Sequence, residues 1–216
     1  MKSLQTISIN PANAILIIVD MQNEFCKPGG ARYTETSARI MPEVIPAVRG
    51  LVDKARTGGI PILYIQSVRT LQEPEFTVFG RDPHLQLGSW GAQIIEELKP
   101  REKDIIVPKF SHDPFYRIDL DQVLKRLVPE PTNYYAVVTG GAVNVCVYHT
   151  TMGFYLRNYW TVVPIDCVFY VVDFGKETAL QQFSLKAYPN IFLSRSDLIQ
   201  VSPIPSAGRP ALIPGS

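Results

Sequence analysis

The chain has 216 residues, 46% of them hydrophobic and 19% charged, with a formal net charge of +1, the profile of one soluble domain large enough to bury a sizeable core. Near-neutrality without a Lys/Arg cluster gives no basis for nucleic acid or an anionic membrane as a partner. Apolar runs such as ILIIV are strand-sized, too short to span a bilayer, and the opening MKSLQTISINPANA lacks the charged start and apolar stretch of a signal peptide.

In chain order, the segments rich in β-branched residues are AILIIVD (14–20), IPILYIQS (60–67), DIIVPK (104–109), YYAVVTG (134–140), YWTVVPID (159–166) and NIFLSRSD (190–197). Most are apolar on both faces instead of alternating, as strands buried in a parallel sheet are. Between them lie stretches with apolar residues three and four apart, predicted as helices: 40–59, which ends in the stop signal Gly58–Gly59, then 90–100, 120–130, 145–158 and 176–188. Strand and helix in alternation predict an α/β fold of three layers, α/β/α, around a six-stranded, mostly parallel, doubly wound sheet. The segment 68–88 has no periodicity and is expected to be a binding loop or lid. A single domain over 1–201 is expected, followed by a Pro-rich arm over 202–216, which either lies on the domain or a neighbouring subunit or is disordered. The protein is expected to be a homo-oligomer, dimer or tetramer.

Three residues stand where a strand should run out: Asp20 after AILIIV, Lys109 after DIIVP and Cys146 after YYAVVTGGAVNV. Reactive groups in an open α/β sheet collect outside the carboxyl ends of the strands. Alone, each has an ordinary reading, as a helix cap, a solvated charge and an inert core thiol. Together they supply a nucleophile, a base and a cation that stabilises charge. Cys146 opens a predicted helix, whose N-terminal N–H groups and partial positive charge favour a thiolate, as does a nearby Lys109. Asp20 can take the thiol proton and return it to a leaving amine. Gly140 and Gly141 let the backbone turn sharply enough for main-chain N–H groups to face the site. The chemistry suited to such a set is acyl transfer from a small amide.

The three cysteines, Cys26, Cys146 and Cys167, show no CxxC spacing, and the three histidines, His84, His112 and His149, no HxxxH or HxH pairing. A disulfide framework and a zinc site are both disfavoured, and a reducing, cytoplasmic setting is expected. No GxGxxG follows the first predicted strand, where DMQNEF stands instead, so a dinucleotide-binding protein is disfavoured. A scaffold that keeps the fold without the chemistry would be signalled by loss of one of the three residues, and none is lost.

AILIIVDMQNEFCKPGG, DIIVPKFSHDPFYRIDLDQVL and VVTGGAVNVCVYHTTMGFYLRNYWTVVPIDC resemble, in order and spacing, the three signature blocks of the isochorismatase-like cysteine hydrolases, with the resemblance running from about residue 14 to 200. It implies a catalytic triad of Asp20, Lys109 and Cys146, a cis peptide at Gly141–Ala142, an oxyanion hole from the backbone N–H groups of Ala142 and Cys146, and no cofactor. Departures are Val143 for a common threonine, Met152–Gly153 for an Arg-Asp pair and Ile118 for a threonine. Nicotinamidases of this superfamily carry Asp and His metal ligands after the second strand; QSVRTLQEPEFTVFG has no histidine before His84, so no metal is expected. Vinyl-ether-cleaving isochorismatases commonly lack the cysteine, so Cys146 points to C–N hydrolysis. The blocks are most similar to the ureidoacrylate, biuret and N-carbamoyl amidohydrolase branch, which implies a small carbamoyl, ureido or amide substrate and release of ammonia. The alternatives are a vinyl ether hydrolase and a nicotinamidase-like amidase without the usual metal. Candidate substrate contacts are Ser67 and Arg69 after the second strand, with Phe25, Trp90, Phe115 and Tyr116 as pocket walls; Arg69 is a candidate anchor for a carboxylate. Cys26, Cys167 and Asp166 are expected to be structural.

Overall fold

A computed structural model describes residues 2–128 and 130–202. The six central strands are β2 (Ala14–Val19), β3 (Ile62–Ser67), β4 (Ile105–Lys109), β5 (Tyr135–Gly140), β6 (Trp160–Pro164) and β7 (Ile191–Ser194), all parallel, in the order β4-β3-β2-β5-β6-β7. Two further strands, β1 (Ile7–Ile9) and β8 (Ile199–Val201), pair only with each other, also in parallel. The predicted arm over 202–216 lies almost wholly outside the described residues.

The both-faces-apolar pattern is used as expected. Ala14, Leu16 and Ile18 of β2 pack on one face with Val44, Val48, Leu51, Val52 and Ala55 of the long helix α2 (Glu35–Gly58). Ile15, Ile17 and Val19 face the opposite way, into a core with Leu120 and Leu124 of α4 (Leu120–Leu127), Val147 and Phe154 of α5 (Cys146–Leu156) and Ala179, Leu180 and Phe183 of α6 (Gly175–Phe183). Helix α2 begins at Thr34, whose side chain accepts the Ser37 N–H, and stops at Gly59, at φ 76°. Its internal prolines, Pro42 and Pro46, are exposed, so the carbonyls they leave unbonded are on the side away from the core. Among the described residues no helix is long and apolar enough to cross a membrane.

The predicted helix over 90–100 is not formed; only a 3-10 turn, Glu96–Leu98, survives. The carbonyls a helix there would need are claimed from outside it. Those of Trp90, Gly91, Ala92 and Gln93 accept from Asn23 Nδ2, Glu24 N, Gln22 Nε2 and Asn23 N, from the turn after β2 and the short helix α1 (Asn23–Cys26). Tertiary hydrogen bonding overrides local periodicity here. The irregular segment 68–88 contains one helical turn, α3 (Pro74–Thr77), and is drawn back on itself by Arg69, which bonds Leu85 and Leu87 through its backbone.

The sheet order reverses between β2 and β5: the chain leaves β2 toward β3 and β4, and leaves β5 toward β6 and β7. A crevice therefore opens at the carboxyl ends of β2 and β5, the position where open α/β sheets place ligands.

Candidate active site

Asp20 leaves β2 in the left-handed region, at φ 52°, a conformation that aspartate tolerates better than most residues. Its Oδ1 accepts the Ser67 N–H at 3.1 Å, and its Oδ2 is 2.9 Å from Lys109 Nζ. Lys109 closes β4, and its long side chain reaches across β3 without meeting solvent. There Nζ donates to Ser67 Oγ at 2.6 Å and the Ser111 carbonyl at 3.1 Å, and lies 3.4 Å from Cys146 Sγ. Carboxylate, ammonium and thiol, from three separate strand ends, thus meet in one buried cluster.

The turn that delivers Cys146 depends on two glycines. Gly140, at φ 96°, lies against the Val19 backbone, and at Gly141 the Phe169 ring occupies the space a Cβ would take. The Gly141–Ala142 peptide is cis. Neither the Ala142 N–H nor the Cys146 N–H donates to a protein acceptor among the described residues. Two backbone donors beside the thiol are therefore free to meet an oxyanion.

Burial pushes the Cys146 thiol up to about 12; Lys109 pulls it down, and Asp20 pushes it up again through its charge and a hydrogen bond. Desolvation thus favours the thiol, and Lys109 the thiolate. Burial also opposes the charge on Lys109, yet Asp20 and Cys146 hold its ammonium above the ordinary lysine range. In the resting site the charge pair is Asp20 with Lys109.

Two residues that sequence reasoning passed over complete the cluster. Gln22, fully buried, donates through Nε2 to the Ser67 and Ala92 carbonyls and accepts the Ser67 N–H, tying the end of β3 to the Asp20 turn. A polar side chain two residues past a strand end, inside DMQNEF, is the only trace it leaves in the sequence. His112, on the loop after β4, places Nδ1 3.4 Å from Cys146 Sγ. Partial desolvation of the ring, then Lys109 and Arg69, lower its pKa and favour the neutral form. Its one signal is position, three residues beyond Lys109.

The predicted substrate contacts divide. Ser67 belongs to the buried cluster. Arg69 and Tyr116 line a cavity of about 310 Å³ together with Glu75, Phe79, Phe110 and His112. Arg69 is 4% exposed; its Nε pairs with Glu75 and its Nη1 donates to the Val68 and Lys109 carbonyls, while Nη2 makes no hydrogen bond to the described residues. Phe115 does not line that cavity. Its ring packs onto α5 at Gly153, with the Arg157 guanidinium 3.6 Å above it, because the missing Cβ of Gly153 leaves a flat seat there. Phe25 packs toward Phe169 and Trp90 stands over Gly29, half exposed, and neither lines that cavity. Cys26 and Cys167 are buried and free, and Asp166 accepts from Ser196 N and Oγ, tying the end of β6 to that of β7.

The residues present do not suit a metal. Among the described residues no group of three or more His, Cys, Asp or Glu side chains is placed to hold one. His84 Nε2 lies 3.9 Å from Glu75, whose carboxylate is shared with Arg69 and Arg81.

A family model described as the Isochorismatase domain matches residues 14–192. Among solved structures, the chain is similar to an isochorismatase-like hydrolase from Alkaliphilus metalliredigens, at 25% identity over 86% of this chain and 96% of that one, TM-score 0.74. It is similar to a cysteine hydrolase from Pseudomonas syringae pv. phaseolicola, at 25% identity over 91% and 94%, TM-score 0.74. It also resembles an N-carbamoylsarcosine amidase from Thermoplasma acidophilum, at 25% identity over 86% and 97%, TM-score 0.69.

Proposed function

We propose, from the premise that this chain belongs to the isochorismatase-domain family, that it hydrolyses the C–N bond of a small carbamoyl, ureido or amide compound through a thioester on Cys146, releasing ammonia. The observation that carries this reading is the meeting of Cys146 Sγ with Lys109 Nζ at 3.4 Å and of Lys109 with Asp20 at 2.9 Å. The similarity to an amidase acting on N-carbamoylsarcosine supports the substrate class.

In this mechanism the Sγ–H proton passes to Asp20 as sulfur attacks the carbonyl. The S–C bond forms and the carbonyl π pair moves to oxygen, where the free N–H groups of Ala142 and Cys146 receive it. Collapse of the adduct breaks the C–N bond, and Asp20 returns its proton to the departing amine. Water then hydrolyses the thioester. Burial favours the protonated thiol, so Asp20 takes the proton as sulfur attacks. Lys109 compensates the charge that sulfur carries on the way.

A thiol so placed favours covalent catalysis over acid-catalysed vinyl ether cleavage, which has no use for it. A carboxylate on the substrate would meet Arg69 through Nη2, the atom its internal partners leave over. The test is a screen of small carbamoyl compounds, ureido acids and simple primary amides with ammonia detection. Ammonia release from at least one class is expected, and a protein inert to all three, yet active on a vinyl ether, would overturn the reading.

A further inference from the structure

We propose that His112 is a catalytic residue for the second half of the reaction, the general base that activates water against the Cys146 thioester. This rests on the function proposed above and goes beyond it by dividing the proton transfers between two groups on opposite sides of the sulfur.

The geometry is the basis. Asp20 is 1% exposed, and its two oxygens are engaged by the Ser67 N–H and the Lys109 ammonium. His112 is exposed, lines the open cavity and still places Nδ1 3.4 Å from Sγ. Among the described residues, His112 both touches the sulfur and borders this cavity, whereas Asp20 and Lys109 do not line it. The ring lies beside that of His149, 6.1 Å between centroids, and His149 donates from Nδ1 to the Val145 carbonyl on its own helix at 2.7 Å. Two of the three histidines in the chain thus lie together at the mouth of the site.

The charges facing His112 keep it a base. Lys109, Arg69 and His149 disfavour its protonation and Asp20 opposes them; Glu73, Glu75, Arg117 and Tyr116 face the same cavity, with Glu75 paired to Arg69 and Glu73 to Arg117, and Asp113 follows on its own loop. Neutral His112 takes a proton from water at Nδ1 while the water oxygen bonds to the acyl carbon. The C–S bond breaks with its electron pair on sulfur, and the proton held by His112 passes to Sγ. The products are the free acid and the resting thiol.

The probe is p-nitrophenyl acetate, whose acetyl group loads Cys146 with a burst of nitrophenol and whose steady state reports deacylation. His112→Gln and His112→Ala are expected to keep the burst while the steady-state rate falls about 100-fold. Acetyl-Cys146 should then accumulate in both variants by mass spectrometry, and added imidazole should restore turnover in His112→Ala. In the wild type, deacylation should fall as pH drops through the lowered pKa of His112, because protonation removes the base, and that limb should vanish in His112→Gln. Both variants deacylating at the wild-type rate with the limb intact would overturn the role of His112 alone. Absence of acetyl-Cys146 in the wild type would instead overturn the proposed function, and this step with it.

Discussion

The two sides of Cys146 Sγ are built from different material. On the inner side stand Asp20, Lys109, Ser67 and Gln22, all at strand ends or in the turn after β2 and at most 2% exposed, each held by at least two hydrogen bonds or ion contacts. On the outer side, His112, Tyr116, Arg117 and Phe79 are exposed and ride on the loops after β3 and β4. The inner side carries charge where low polarity makes charge strong, and the sheet edge holds it in place. In the proposed mechanism the outer side carries recognition and access to water, on exposed loop segments. The contrast separates a fixed proton-handling wall from an adaptable one.

The largest effect should follow from breaking the inner wall. Asp20→Asn or Lys109→Met leaves one charge buried without its partner and should destabilise the fold by about 3–5 kcal/mol, besides abolishing turnover. Removing both together should cost much less than the sum, because no orphaned charge remains. Chemical denaturation of the four proteins measures this, and strict additivity would show that the pair is not coupled.

The same pair should move the thiol in opposite directions. Asp20 raises the Cys146 pKa and Lys109 lowers it, about a resting value near 12. In Asp20→Asn the alkylation limb with iodoacetamide should therefore shift to lower pH, so that more thiolate is present at pH 8 even though catalysis is lost. In Lys109→Met it should shift higher. A shift in the same direction in both variants would mean that the three groups do not interact as their distances imply.

On the outer wall the effects should be smaller and depend on the substrate. Glu75→Gln releases Arg69 from its internal partner, and one charged hydrogen bond regained should raise kcat/KM for carboxylate-bearing substrates by roughly 10-fold. Neutral amides of the same size should respond little. Equal responses would remove Arg69 as the anchor. Smallest of all is the expected effect of exhaustive chelation, which should leave activity intact; loss restored by one metal would contradict the metal-free reading.

The division between the walls also marks what the sequence discloses. Strands with apolar residues on both faces are legible because burial on both sides leaves no polar alternation, and from them the sheet and the strand-end positions of Asp20, Lys109 and Cys146 follow. Gln22 and His112 are not legible, because their roles are made by neighbours distant in sequence: the Ala92 carbonyl for one, the Cys146 sulfur for the other. The same holds for 90–100, where helical spacing is overruled by donors from 22–24, and for Phe115, drawn to Gly153. The burial that raises the Cys146 thiol is not legible for a related reason. A helix N-terminus is a local signal, whereas desolvation is a sum over the whole fold.

The central claim, a covalent acyl enzyme on Cys146, is tested most directly by acid-quenching the protein during turnover of whichever amide releases ammonia and mapping its peptides by mass spectrometry. The account predicts an acyl mass on the peptide containing Cys146 in the wild type, and neither adduct nor ammonia in Cys146→Ala of unchanged stability. Substantial ammonia release by Cys146→Ala would contradict it and return the chemistry to Asp20.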